Sequence, residues 1–95
     1  MSTYAVLWSE PSLELEAGRL ELDRESIRFD GARVRRVYYG DIAQVRIGHH
    51  ARDRLQGRPA LVVDLLDGGS LRIGSVNGVG TVAELAEELT RLSRQ

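Results

Sequence analysis

Apolar and polar residues alternate along most of this chain, and helical spacing takes over only at its C-terminal end. Tyr4-Ala5-Val6-Leu7-Trp8, rich in aromatic and branched residues, predicts a first strand. Pro11 interrupts it, so residues 10–12 read as a turn or a strand edge. Leu13 and Leu15 then alternate with Glu14 and Glu16, Ala17-Gly18 reads as a tight turn or bulge, and Leu20 and Leu22 alternate with Arg19, Glu21 and Asp23. Asp23-Arg24-Glu25-Ser26 has the length of a hairpin connection. Beyond it Ile27 and Phe29 point inward, Arg28 and Asp30 outward, and Asp30-Gly31 supplies the next turn. Residues 35–39 predict another strand, with Val37 and Tyr39 on one face and Arg36 and Tyr38 on the other. The spacing of three from Ile42 to Val45 predicts a short bend before Ile47 resumes the alternation.

Residues 48–59 are polar and aperiodic and read as the longest loop. Ala60-Leu61-Val62-Val63-Asp64-Leu65-Leu66 is apolar on both faces for most of its length, the pattern of a strand buried on both sides, under a helix or at an oligomer contact. Asp67-Gly68-Gly69 is a turn signal, and residues 70–76 predict the last strand, with Leu71 and Ile73 inward and Gly74 at a bulge. Asn77-Gly78-Val79-Gly80 leads out of the sheet. The closing helix is predicted over residues 81–93. Thr81 and Glu84 have the spacing of a capping box, Val82, Leu85, Ala86, Leu89 and Leu92 form one apolar stripe, and Glu87 and Arg91 form an i,i+4 pair. Glutamates near the start and Arg91 and Arg94 near the end suit the helix dipole. A helix this short is marginal alone, so its stripe must dock on the sheet.

These elements describe a mainly β protein: an antiparallel barrel or sandwich of about seven strands closed by one C-terminal helix. The 95 residues fit a single domain over 1–95. The chain resembles the bacterial pleckstrin-homology-like domains, related in outline to GRAM domains. The resemblance rests on Gly18-Arg19-Leu20-Glu21-Leu22 with Ser26-Ile27-Arg28-Phe29-Asp30-Gly31, on Tyr39-Gly40-Asp41-Ile42-Ala43-Gln44-Val45, and on Thr81-Val82-Ala83-Glu84-Leu85-Ala86-Glu87-Glu88-Leu89. It covers about residues 12–94. The chain also resembles small actinobacterial proteins in which an Arg-Leu-x-Gly-Arg-Pro loop, here residues 54–59, precedes a hydrophobic strand. The resemblance implies a binding scaffold, and homo-oligomers among its relatives imply self-association. A small open barrel leaves strand edges to pair, with residues 60–66 and 4–8 as the candidate contacts.

Composition narrows the chemistry. There is no cysteine, hence no disulfide, thiolate nucleophile or cysteine-ligated metal, and this fits a reducing cytoplasm. The N-terminus lacks a signal peptide, and no apolar run approaches a membrane span. A net charge of −1 gives no global attraction to nucleic acid, and a single stacking aromatic on either face argues against an RNA or DNA site. His49 and His50 are adjacent, so on a strand they point to opposite faces and do not share a metal. No serine sits in a nucleophile elbow, and the acids alternating with leucines read as an exposed face. Neither an enzyme, a cofactor nor a metal site is therefore expected.

What remains is arginine. All thirteen basic residues are arginine, a planar donor suited to carboxylates and phosphates. Arg33, Arg35 and Arg36 form one group, and Arg52, Arg54 and Arg58 fill the long loop. In eukaryotic pleckstrin-homology domains basic residues around the first hairpin hold inositol phosphates. Here that connection carries acids around its only arginine, which argues against phosphoinositide binding. With Trp8 and Tyr38 as aromatic anchors, these six arginines form the candidate interaction surface, for a protein partner or a second copy. A small anionic ligand or headgroup held by the arginines, including weak contact with an anionic membrane, stays open as the alternative.

Overall fold

The computed structural model describes residues 2–10, 15–48, 50–75 and 79–93. The expected turn at Pro11 and Ser12, the Leu13–Glu14 alternation, His49, the exit through Val76, Asn77 and Gly78, and Arg94 lie outside them. Seven strands follow in order: β1 (Ser2–Ser9), β2 (Glu16–Leu22), β3 (Ser26–Asp30), β4 (Val34–Tyr38), β5 (Ile42–Gly48), β6 (Ala60–Leu65) and β7 (Ser70–Ser75). One helix, α1 (Val79–Ser93), closes the chain. Short 3₁₀ turns occupy Tyr39–Asp41 and Ala51–Asp53.

All ladders are antiparallel, and the strands lie in the order β4-β3-β2-β1-β7-β6-β5. The sheet curls strongly into a half-barrel, and α1 packs against it. Consecutive β4 and β5 therefore stand at the two ends of the strand order without sharing a ladder. The 3₁₀ turn between them is fastened from both sides. The Tyr39 N–H donates to the Glu25 carbonyl at 3.0 Å, and the Leu66 N–H donates to the Asp41 carbonyl at 2.9 Å.

Alternation places Val6, Trp8, Leu20, Ile27, Phe29, Leu61, Val63, Leu71 and Ile73 on the concave face, and α1 adds Val82, Leu85 and Leu89. Each fully buried large aliphatic contributes roughly 1.5–3 kcal/mol, which is how a helix too short to stand alone is held. Trp8 and Phe29 stack with ring centroids 5.1 Å apart.

Several expectations change. Ala17-Gly18 is no turn: β2 runs through it in unbroken register with β1, Leu7 opposite Ala17 and Val6 opposite Gly18. Glycine is needed there for space, since a Cβ would lie 2.5 Å from the Asp30 carbonyl oxygen and 2.9 Å from the Trp8 ring. Gly74 is likewise in register rather than bulged. Tyr39 leaves the strand for the 3₁₀ turn yet stays buried, its O–H donating to the Asp23 carbonyl at 2.6 Å. The bend before Val45 is real, a register shift between Ile42 and Gln44. The helix begins at Val79, so Thr81 lies inside the first turn rather than capping it, and Arg91 bonds Glu88 rather than Glu87.

Candidate interaction surfaces

Trp8 is fully buried. Its strand is paired on both sides, by β2 and β7, and its ring fills the core between glycines. It is a core residue and not a surface anchor. Tyr38, in contrast, is 49% exposed on the outer side of β4, on the same face as exposed Val34 and Arg36.

The first arginine group is largely committed to local carboxylates. Arg35 Nε donates to Glu10 Oε1 at 2.8 Å, and Arg33 reaches Glu10 at 3.4 Å and Glu16 at 2.6 Å. The glutamates are mostly covered and the arginines about one-third exposed, so the pairs form a neutral cluster over the Trp8 end of the core. Arg36 is the exposed member of the group. An anion arriving here would have to displace two glutamates.

Residues 50–58 are not the open loop their polarity suggests. The segment folds back over the outer face of β5, β6 and β7. Leu55 is buried against Gly74, and the side chain of Asp53 lies against Gly48 and Val62. Arg46 holds the segment down, its guanidinium donating to Asp53 at 3.1 Å and to Asp64 at 3.1 Å. Those two bonds raise the Arg46 pKa further, keeping it charged. Arg72 adds a bond to the Arg52 carbonyl at 2.7 Å and one to Ser9 Oγ at 3.3 Å. At the tip Leu55 and Arg58 exchange backbone bonds across Gln56 and Gly57, both at positive φ (52° and 78°), while Arg54 donates to the Gly57 carbonyl at 3.0 Å. Arg54 thus braces a turn, and Arg52 and Arg58 are exposed beside it. The doubly apolar strand, β6, is explained by this cover: Ala60 and Val62 are buried beneath the segment and Leu61 and Val63 beneath α1 and the core. Paired by β5 and β7, β6 offers no edge to a second chain.

The free edge that does lie beside apolar surface is β5. It pairs only with β6, and α1 runs alongside it. Between them lies an open groove of about 820 Å³, lined by Val45 and Ile47 from the strand and Ala83 and Ala86 from the helix, together with the polar Arg46, Glu87, Thr90 and Arg91. A smaller cleft of about 310 Å³ continues the seam past Ile42, Ala43 and Gln44 to Thr90 and Ser93. Sequence reasoning missed this groove. The available signal was Ala83 and Ala86 flanking the leucine stripe, small residues that keep the helix flank low.

Among the described residues no three histidine, aspartate or glutamate side chains gather as a metal site, and no helix is long and apolar enough to cross a membrane. No protein-family model matches the chain, and no curated protein does. Among solved structures, the C-terminal domain of an unknown protein from Leishmania infantum is similar to it, with a TM-score of 0.78 at 12% identity over 100% of this chain and 84% of that one. At that identity the likeness is one of fold alone.

Proposed function

We propose that this chain is a non-catalytic protein-binding module of pleckstrin-homology-like type, which pairs with a second copy of itself along the free edge of β5. The strand order and the closing C-terminal helix support the fold reading. The non-catalytic reading is supported by the carboxylates of Glu10, Glu16, Glu21 and Asp53, all tied to arginines rather than left to act as acids or bases.

One observation carries the binding mode: an unpaired strand edge beside a groove with apolar walls. Strand addition takes its affinity from main-chain bonds and its specificity from alternate side chains. A second copy fits because of how charge falls along β5. In full antiparallel overlap centred on Val45, Arg46 faces Gln44 and Ile47 faces Ala43, so no like charges oppose. The same overlap of β4 is centred on Arg36 and sets it against its own copy.

Light scattering across a concentration series tests this, with the mass expected to rise from monomer toward dimer. Ala83→Arg fills the groove from an exposed helix position with a good helix former, and Gln44→Arg sets like charges opposite Arg46; each should return the monomer. A wild-type monomer at every concentration overturns the proposal, and so does a dimer indifferent to both changes.

A further inference from the structure

Four buried side-chain polar atoms among the described residues lack a hydrogen-bond partner: Trp8 Nε1, Glu16 Oε2, Arg28 Nε and Arg33 Nη2. Three of them belong to neighbouring residues. Trp8 and Glu16 are cross-strand partners in the β1–β2 ladder, and Arg33 Nε lies 2.6 Å from Glu16 Oε2, close but misaligned for a hydrogen bond. The indole is oriented by its neighbours. A Cβ on Gly18 would come within 2.9 Å of Cζ3 and one on Gly31 within 2.8 Å of Cη2, so that edge of the ring packs on glycine backbone and the N–H edge faces away from it.

A buried indole N–H ordinarily finds an acceptor, and an orphaned group in a native fold calls for an explanation. The three atoms specify what would satisfy them. Trp8 Nε1 and Arg33 Nη2 are donors, and Glu16 Oε2 is an acceptor. An anion would meet the carboxylates of Glu10 and Glu16, and a cation the guanidinium groups of Arg33 and Arg35. The four charges cancel, so the site favours a neutral oxygen that accepts twice and donates once. Buried waters typically make about three such bonds to otherwise unsatisfied groups.

We propose that one internal water is bound at this end of the barrel, accepting from Trp8 Nε1 and Arg33 Nη2 and donating to Glu16 Oε2. The water ties a fully buried core aromatic to the ion-pair cluster beside it. It makes Trp8, Glu16 and Arg33 a single hydrogen-bonded unit linking β1, β2 and the residues entering β4.

The chain contains one tryptophan, so the ¹⁵N-labelled protein gives one indole N–H resonance, and the experiment needs no variant. Dipolar cross-relaxation from that proton to the water frequency is expected, with the opposite signs in laboratory-frame and rotating-frame measurements that mark a long-lived bound water. Because Trp8 is fully buried, bulk solvent does not supply this signal. Absence of the contact overturns the proposal, and so does a contact of the same sign in both measurements, which is proton exchange. A crystal structure tests the site independently: density for one oxygen within hydrogen-bond distance of all three atoms supports it, whereas a direct bond from Nε1 to a carboxylate or carbonyl removes it.

Discussion

The two edges of the sheet solve the same problem differently. Both β4 and β5 leave one row of backbone groups unpaired, and an unprotected edge invites another strand. β4 is guarded by charge: Arg36 stands exposed at the centre of a five-residue strand, while Arg33 and Arg35 are neutralised by Glu10 and Glu16. Its exposed Val34 and Tyr38 stand on either side of Arg36 along one face. β5 is longer, has one charge, and turns that charge onto Asp53 and Asp64 of its own fold. Its protection is α1, which lies beside the edge and leaves a groove. Charge repels every approaching strand of like sign, whereas a helix set alongside excludes only what does not fit. On the proposed pairing, that difference makes β5 the edge that takes a second copy and β4 the edge that refuses one.

The largest effects should separate the two edges by stability. Leu89→Ala removes a fully buried side chain from the helix that covers β5, and urea denaturation should show a loss of about 2–5 kcal/mol. Val34→Ala on β4, where the side chain is 64% exposed, should stay within about 0.5 kcal/mol. A comparable loss at both sites would mean that β4 is covered too. Next comes the Arg46 clip. Arg46→Met leaves the buried carboxylate of Asp53 without its cation. Because Arg46 is itself 39% exposed on its side chain, solvent screening reduces the penalty to about 1–2 kcal/mol. Amides of residues 53–58 should exchange faster in that variant, while Arg36→Met on β4 should leave exchange and stability near wild type.

How much of this was legible in the sequence follows from what sets each feature. Alternation fixed Ile27, Phe29, Leu71 and Ile73 as core because a strand face is a local property. The stripe on α1 was readable for the same reason. Trp8 was read as a surface anchor and is core, because a large aromatic serves core and interface equally and only Gly18 and Gly31, distant in sequence, decide which. Residues 48–59 were read as the longest loop, but their docking on the sheet was not readable, because the partners of Asp53, Leu55 and the Arg52 carbonyl (Arg46, Gly74 and Arg72) lie on other strands. Arg33 and Arg35 read as a binding patch until Glu10 and Glu16 met them across the sheet. The groove beside β5 belongs to two elements at once, and no window of sequence contains both.

The link between the edges carries a pH dependence. Burial, then the charges of Asp23 and Glu88, push the Tyr39 phenol up to about 12 from 10.0. The fold favours the neutral phenol, so this stabilisation is complete below about pH 10 and is lost as pH rises through about 12. Two units correspond to roughly 2–3 kcal/mol at most. Tyr39→Phe should cost about 1 kcal/mol at pH 7, the value of its bond to the Asp23 carbonyl, and should lack the alkaline loss. The quantity to follow is the difference in denaturation free energy between wild type and variant, which should shrink and then change sign between pH 10 and 12. A constant difference would show that the phenol titrates freely, and that the turn joining β4 to β5 is looser than its buried tyrosine implies.

The smallest effect lies at the guarded edge. Glu10→Gln removes the charge that Arg33 and Arg35 share at 3.4 and 2.8 Å, and partly exposed pairs of this kind contribute about 0–1 kcal/mol. Such a value is near the limit of measurement, so salt is the better probe. At roughly 1 M salt the Debye length falls to about 3 Å, and the stability gap between wild type and variant should close if charge is what Glu10 supplies. Two arginines released from Glu10 also raise the positive charge beside β4, which makes that edge more forbidding to a second copy. Light scattering of Glu10→Gln should therefore show dimerisation through β5 unchanged. A change in oligomeric state would instead place β4 in the contact and reverse the assignment of the two edges.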